Sequence, residues 1–523
     1  MKNVLLITCD TWRADCLGCA DHPLVRTPNL DRLAAEGVRF ANHFCQATPC
    51  GPSRASLYCG MYQLNTRVIS NGAPLAARHT NIAEELRRGG YDPVLSGYTH
   101  TITEQPASAE MNEVLPGLRS LNTDLGGSVN HLASSWVQWL EELGYDVPGE
   151  MRFAKVGVAG AVLGGDPATL VGDGAFQHAL DADGVPVAAF YKPEHGDTAF
   201  AVNQVLAHVK EQQVGSTPWA CHLSAYKPHP PWLATAPYNA QYLPADVGLP
   251  QYRRDSIAEE GSLHPWLAHR LQLRSSVAPE ADDDLRLLRS QYFALCEETD
   301  AQLGRLFDEL RASGSYDDTL IVMTTDHGEQ LGDHWLMNKD GFFDQSYHIP
   351  LIIKCPASTS VRHGAVVEHF TEHVDILPTI LQYLGLPVPA QADGSSLLPF
   401  LFEGSEDQEW IVPEGWRSAA HFEFDYSERN PPPGVHASQC SLCVLRGARW
   451  KYVQFADERM PALLFDIAHD PGELVNLGAS SVLEHVEAKV ECAAQMLQWR
   501  MRHAEHILTH TEAKGLLILE PKL

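Results

Sequence analysis

Two nearly continuous apolar runs constrain this chain more than any other feature. Val4–Thr8 leads into Cys9-Asp10, and Thr319–Thr324 leads into Thr325-Asp326. A run without polar alternation reads as a strand buried on both faces, and such strands belong to parallel sheets covered by helices. In an open α/β sheet, ligands bind beyond the carboxyl ends of the strands. Asp10, Asp326 and the adjacent His327 are therefore expected on one rim, although more than 300 residues separate them. Two carboxylates and an imidazole on one rim make a divalent-metal site. On position alone, strand-end caps and a loop histidine remain the competing reading.

Helical signals fill the spaces between such runs. Thr27-Pro28 reads as an N-cap followed by Pro at the first helical position. Leu30, Leu33, Ala34 and Val38 follow at helical spacing, so Pro28–Glu36 is expected to be helix, stopped by Gly37. Ser53–Cys59 reads as the start of a helix with Cys50 just before it, and Asn81–Arg88 as another. Leu285–Arg311 carries apolar residues at three- and four-residue steps, and Val374–Leu384 is a further helix. Pro93–Leu95, Trp219–Ser224 and Pro350–Lys354 add strands. The expected fold is α/β, a large, mostly parallel sheet with helices on both faces. Residues 101–215 and 234–284 read as insertions of loops and short helices. Beyond residue 404 the texture changes. Leu445–Ala448, Trp450–Phe455 and Ala462–Phe465 read as short antiparallel strands, and Glu484–Ile507 as a helix with Val486, Val490, Ala494, Leu497 and Met501 on one stripe. The division is a catalytic domain over 1–404 and a smaller C-terminal α+β domain with a helical tail over 405–523.

Length and charge exclude several classes. At 523 residues the chain exceeds one ordinary core. A net charge of −28 excludes binding to nucleic acid or anionic lipid through the general field. An anionic substrate would need a local cationic pocket. The first apolar run is too short for a leader peptide, and no stretch reaches the ~18 apolar residues of a membrane span. The expectation is a cytoplasmic protein with its twelve cysteines reduced. Cys16/Cys19 and Cys440/Cys443 form C-x-x-C pairs, but over 400 residues separate them, and buried or incidental thiols are preferred to a zinc site. No G-x-S-x-G elbow, P-loop or G-x-G-x-x-G is present. A tyrosine-phosphatase-like loop is excluded because Ser56 stands where its Arg is needed.

Cys50-Gly51-Pro52-Ser53-Arg54 is the most distinctive local motif. It resembles the C-x-P-S-R modification signal of the sulfatase family, in which the Cys is oxidised to formylglycine. Separated stretches strengthen the likeness: Asn3–Asp15, Thr27–Phe44, Cys50–Gly60, Gly97–His100, Ala225–Pro231, Thr324–Phe343, His373–Gly385 and Arg446–Leu477. Together they resemble the sulfatase branch of the alkaline phosphatase superfamily, including the phosphonate monoester hydrolases. The resemblance implies Asp10, Asp326, His327 and the modified Cys50 as ligands of one divalent metal. Thr11 and His327 replace the second Asp and the Asn of calcium-binding members, which leans toward the phosphonate hydrolases. A nitrogen ligand suits manganese better than calcium, with Ca2+ and Zn2+ as alternatives.

The resemblance also implies roles for the pocket. Arg54 would orient or charge-balance the hydrated formylglycine, and Lys339 would bind the anionic group. His229 would protonate the leaving oxygen, and His100 would act as base. Tyr98 stands where many sulfatases have a Lys, which weakens preference for a doubly charged ester. The implied reaction is hydrolysis of sulfate monoesters through a formylglycine nucleophile, with promiscuity toward phosphonate monoesters and phosphodiesters. The alternative is a phosphonate monoester hydrolase with sulfatase side activity. The implied partners are a small-molecule ester, a formylglycine-generating system and further copies of the chain in a homo-oligomer, with no nucleic acid and no membrane. The apolar stripe of the last helix and the tail Gly515–Leu519 are the candidate contact surfaces of that oligomer.

Overall fold

The computed structural model describes residues 2–101, 103, 115–121, 129–147, 180–215, 217–356, 362–402, 412–504, 511–513 and 519–521. Eight strands form the main sheet: β1 (Asn3–Cys9), β2 (Val38–Phe44), β3 (Val94–Ser96), β4 (Arg119–Ser120), β5 (Ala220–Ala225), β6 (Thr319–Thr325), β7 (Leu351–Lys354) and β8 (Ala365–Glu372). Their order is β4-β3-β5-β1-β6-β7-β2-β8, and only β7 runs against its neighbours. The sheet is covered on both sides, as the apolar runs require. Leu5, Ile7 and Cys9 pack into one core with the helices Pro28–Glu36, Asp197–Gly215 and Asp282–Ala312. Val4 and Leu6 pack into the other with Cys50–Cys59, Ile82–Arg88 and Ile376–Leu384. The alternate residues of one strand thus feed two cores, which is why β1 cannot show polar alternation.

The second sheet is antiparallel. β9 (Ala419–Asp425), β10 (Ser441–Gly447), β11 (Trp450–Phe455) and β12 (Leu463–Asp466) lie in the order β12-β11-β10-β9. The helix Leu483–Arg502 packs on it through Ala488, Cys492, Met496 and Trp499. The fold class is therefore as expected, a mostly parallel sheet between helices with a smaller antiparallel sheet after it.

Several details differ from the sequence reading. The strands β2, β4, β8 and β9 are not among those expected from sequence. The insertion 101–215 contains a 19-residue helix, Asp197–Gly215, where only short ones were expected. The apolar stripe on the last helix faces outward: Val490 is 64%, Leu497 61% and Met501 70% exposed. That helix ends at Arg502, and Ile507 and Gly515–Ile518 lie outside the described residues. Beyond it, Thr511–Ala513 pairs with Leu519–Pro521 as a two-stranded hairpin. No helix among the described residues is long and apolar enough to cross a membrane.

Candidate functional site

Strand register builds the centre of the site. β1 and β6 are neighbours, and Cys9 pairs with Thr325. Asp10 and Asp326 therefore leave the sheet side by side. Cys50 is the first residue of the helix Cys50–Cys59, so it faces the two carboxylates from the positive end of that helix. Its Sγ lies 3.2 Å from His327 Nε2 and 4.0 Å from Asp10 Oδ1. One ligand-type atom from each of Asp10, Cys50, Asp326 and His327 lies within 4.8 Å of the others, and all four residues are buried.

The donor set suits a divalent cation. His327 Nδ1 lies 2.9 Å from the Gly328 carbonyl oxygen, which can only accept a hydrogen bond. Nδ1 therefore carries a proton, and in the neutral ring Nε2 turns a lone pair toward Cys50 and the carboxylates. Thr11 completes the rim. It holds a left-handed backbone, φ 70°, which is uncommon for a β-branched residue. Its hydroxyl donates to Asp10 Oδ1 at 2.6 Å, and its N–H to Asp326 Oδ1 at 3.1 Å.

Arg54 is fully buried and braces the carboxylates. Its Nε donates to Asp326 Oδ2 at 2.9 Å, and one terminal nitrogen to Asp10 Oδ2 at 3.2 Å. The other terminal nitrogen donates to the Ser224 hydroxyl at 2.7 Å and the Tyr98 carbonyl at 3.2 Å. Tyr98 donates its own hydroxyl to Asp10 Oδ2 and lies under the guanidinium, 4.5 Å from ring centre to Cζ. Gly97 makes this approach feasible. It has φ 114°, and a Cβ there would lie 2.0 Å from the Ser224 carbonyl oxygen. Asp10 is held well below the usual carboxylate range. Burial opposes this, but His229 and His327 in their protonated forms, with Arg54 and Lys339, outweigh it at the acid pH where Asp10 would titrate.

The remaining expected residues also gather here. Lys339 is buried; burial would lower its pKa, but the fields of Cys50, Asp10 and Asp326 raise it. Its ammonium makes no hydrogen bond with the described residues. His229 Nδ1 donates to the Pro230 carbonyl at 2.6 Å, which leaves Nε2 as an acceptor. Burial pushes the His229 pKa down to about 3. His100 has φ 52°, its ring edge meets Tyr98, and its Nδ1 is buried without a hydrogen-bond partner among the described residues. Burial, then the Arg54 charge, lowers its pKa.

Sequence reasoning missed four supports of the site. Ser224 is the outer anchor of Arg54, and Asn71 Oδ1 accepts the Gly51 N–H at 2.8 Å. Ser53 donates its hydroxyl to the Asp326 carbonyl. Arg13 donates to the carbonyls of Glu329 and Gln330, each at 3.1 Å, and to Asp333 at 2.8 Å, tying the loop after His327 to the loop after Asp10. Arg13, in Asp10-Thr11-Trp12-Arg13, was the readable signal, because a buried cation three residues past a strand-end Asp needs an acidic partner. Ser53 is the Ser of the Cys50–Arg54 motif, while Ser224 and Asn71 carry no local signal.

Comparison with known proteins identifies the family. A family model described as "Sulfatase" matches residues 2–386, and one described as "N-sulphoglucosamine sulphohydrolase, C-terminal" matches 332–500. A multifunctional alkaline phosphatase superfamily protein, PehA, of Trinickia caryophylli is 36% identical over 97% of this chain and 97% of its own. The crystal structure of a phosphonate monoester hydrolase of Agrobacterium radiobacter superposes with a TM-score of 0.85 at 36% identity, covering 98% of each chain. A choline-sulfatase of Rhizobium meliloti is 27% identical over 99% of this chain and 91% of its own.

Proposed function

This chain belongs to the sulfatase family of the alkaline phosphatase superfamily and is an ester-bond hydrolase, and from that premise we propose that it acts first on phosphonate monoesters and phosphodiesters, with sulfate monoesters as secondary substrates. This reverses the order expected from sequence. The observation that carries the reading is the count of free positive charge. Arg54 is consumed by Asp10 and Asp326, and Tyr98 spends its hydroxyl on Asp10. Among the described residues, Lys339 is left as the cation available to substrate. One cation suits a singly charged ester and disfavours a phosphate monoester dianion. Likeness to a phosphonate monoester hydrolase at 36% identity supports placing the phosphorus esters first.

Asp10, Asp326, His327 and position 50 would hold one divalent metal, for which the imidazole favours Mn2+ over Ca2+. Bound there, the metal supplies Lewis acidity at the reacting centre. Oxidation of Cys50 to formylglycine, by a generating system that brings its own oxidant and carries off the thiol sulfur, would supply a hydrated aldehyde at position 50 as the oxygen nucleophile. Arg54 and Thr11 keep both carboxylates oriented before substrate arrives, so this part of the site needs no reorganisation. Lys339 draws in the anionic group. His229 presents Nε2 to the leaving oxygen. With a pKa of about 3 it is neutral in the empty site, so its protonation must accompany binding of the anion. His100, whose ring edge meets Tyr98 and whose Nδ1 is buried and unpartnered among the described residues, would accept the proton.

The test compares kcat/KM for an aryl phosphonate monoester, an aryl sulfate and an aryl phosphate monoester on the Mn2+-loaded protein. The reading expects the phosphonate to exceed the sulfate by about 10-fold or more, and the dianionic phosphate to rank last. A sulfate preference reverses it.

The twelve free thiols accord with a reducing cytoplasm. We take 1–404 as the catalytic part and 405–523 as the C-terminal part. Self-association is assigned to the outward stripe of the last helix. Val490, Leu497 and Met501 stand exposed on that face, and a second copy packed there would cover them. Light scattering of Leu497→Glu should give a smaller assembly than the wild type; an unchanged mass would remove this surface.

A further inference from the structure

The orientation of His327 can be traced, bond by bond, to the second sheet. Its Nδ1 donates to the Gly328 carbonyl. Gly328 in turn donates its N–H to the Ser346 carbonyl at 2.8 Å, and Glu329 its N–H to Gln345 at 3.0 Å. The contact is a close backbone approach, since a Cβ at Gly328 would sit 2.1 Å from the Gln345 carbonyl oxygen. The position of Gln345-Ser346 therefore sets where the Gly328 carbonyl points.

Gln345 and Ser346 follow Asp344, which is held from three sides by residues after 440. Lys451 on β11 donates to Asp344 Oδ1 at 2.7 Å, and Arg446 on β10 to Oδ2 at 2.7 Å. The Asp344 N–H donates to Glu473 Oε2 at 2.9 Å, and Lys451 also pairs with Glu473. The side chains of Lys451 and Glu473 are 0% exposed. Two cations face two carboxylates, so the cluster is neutral as a whole. Buried pairs of this kind add little net stability over apolar packing, yet they fix geometry. Ligands around them cannot drift without leaving a charge uncompensated.

We infer that Lys451 is a positioning residue for His327, acting through Asp344 and the Gln345-Ser346 backbone, so that the second sheet sets the affinity of the metal site. The inference rests on the metal-dependent reading above. Groups that orient a metal-bound imidazole typically change affinity 10–100-fold when removed.

The test is calorimetric titration of metal-free full-length protein with Mn2+, with the melting temperature recorded for each variant. Lys451→Met alone leaves the buried Glu473 without its cation and is prone to misfold. The informative variant is Lys451→Met with Glu473→Gln, which leaves Arg446 against Asp344 and keeps an acceptor for the Asp344 N–H. It should fold and bind Mn2+ about 10–100-fold more weakly. Met496→Ala is the control. It opens a cavity in the core beneath the last helix, so it should lower the melting temperature and leave Mn2+ affinity unchanged. If the double variant binds as tightly as wild type, or Met496→Ala weakens binding equally, the inference is overturned. A wild type that binds no divalent ion overturns the metal reading along with it, which separates the two failures.

Discussion

Two of the buried charge clusters among the described residues are built differently. Around Lys451 and Arg446, two cations meet two carboxylates, Asp344 and Glu473, and the fields cancel. Around Arg54, one guanidinium meets two carboxylates, Asp10 and Asp326. There His327 Nε2 and Cys50 Sγ add donors that point inward. The balanced cluster holds backbone in place. The second keeps the Lys339 ammonium without a hydrogen bond to the described residues and carries spare donors, so it is organised to receive a cation and an anionic ester. Burying ionised groups is costly wherever it occurs. The difference is that only the second of these two clusters leaves donors and an ammonium for a ligand to engage.

The largest test of this contrast is Cys50→Ala. It should lower kcat by about 10,000-fold or more, as nucleophile removal does, while the melting temperature stays close to wild type. Its measurement is turnover of an aryl phosphonate monoester beside thermal unfolding. Wild-type turnover would end the assignment.

Arg54→Met comes next. Without metal it leaves Asp10 and Asp326 uncompensated and should cost about 3–5 kcal/mol, measured by urea unfolding. Saturating Mn2+ should recover more stability in this variant than in wild type, because the ion replaces the missing charge. An equal Mn2+ effect in both would blur the distinction between the two clusters.

Tyr98→Phe removes the hydroxyl that donates to Asp10 Oδ2 while the ring stays under Arg54. A fall of about 10–100-fold in kcat/KM, with weaker Mn2+ binding, is expected. Retention of both values would leave Tyr98 a packing residue.

Glu298 supplies the smallest effect and a third kind of buried charge. It accepts the Thr235 N–H at 3.0 Å, but burial outweighs that bond and lifts its pKa from 4.5 to about 7. A carboxyl raised in the folded state keeps its proton where the unfolded chain releases it. Stability should therefore fall as pH rises from about 4.5 to about 7, by up to about 1.4 kcal/mol per pH unit from this group. Glu298→Gln should flatten that slope in denaturant unfolding across the same window. An unchanged slope would show that Glu298 ionises freely and belongs with the paired groups.

The site was more legible in sequence than the fold around it, for a physical reason. Asp10, Asp326 and Cys50 sit at ends of elements with strong local signals, two buried apolar strands and a helix start. β9 gave no such signal. It buries His421 and Glu423, which look like surface residues until their partners are known. Those partners are remote: the His421 N–H donates to Glu372, and Arg500 pairs with Glu423 at 2.6 Å. The helix Asp197–Gly215 was missed because its buried residues extend around its first turns rather than along one stripe. The last helix shows the converse error. Its clearest apolar stripe is the exposed one, while the packed face uses Ala488, Cys492, Met496 and Trp499. Periodicity records that a face is apolar and is silent on which neighbour covers it.

The central claim is that the residue doing chemistry at position 50 is not the encoded cysteine. Trypsin should release Phe40–Arg54, which contains Cys45 and Cys50. In protein from a host with a formylglycine-generating system, mass spectrometry should find this peptide about 18 Da lighter than the encoded sequence, as replacement of CH2SH by CHO requires. After alkylation it should carry one alkyl group, on Cys45. A peptide of unmodified mass with two alkyl groups, from protein that turns over phosphonate or sulfate esters at full rate, would contradict the account.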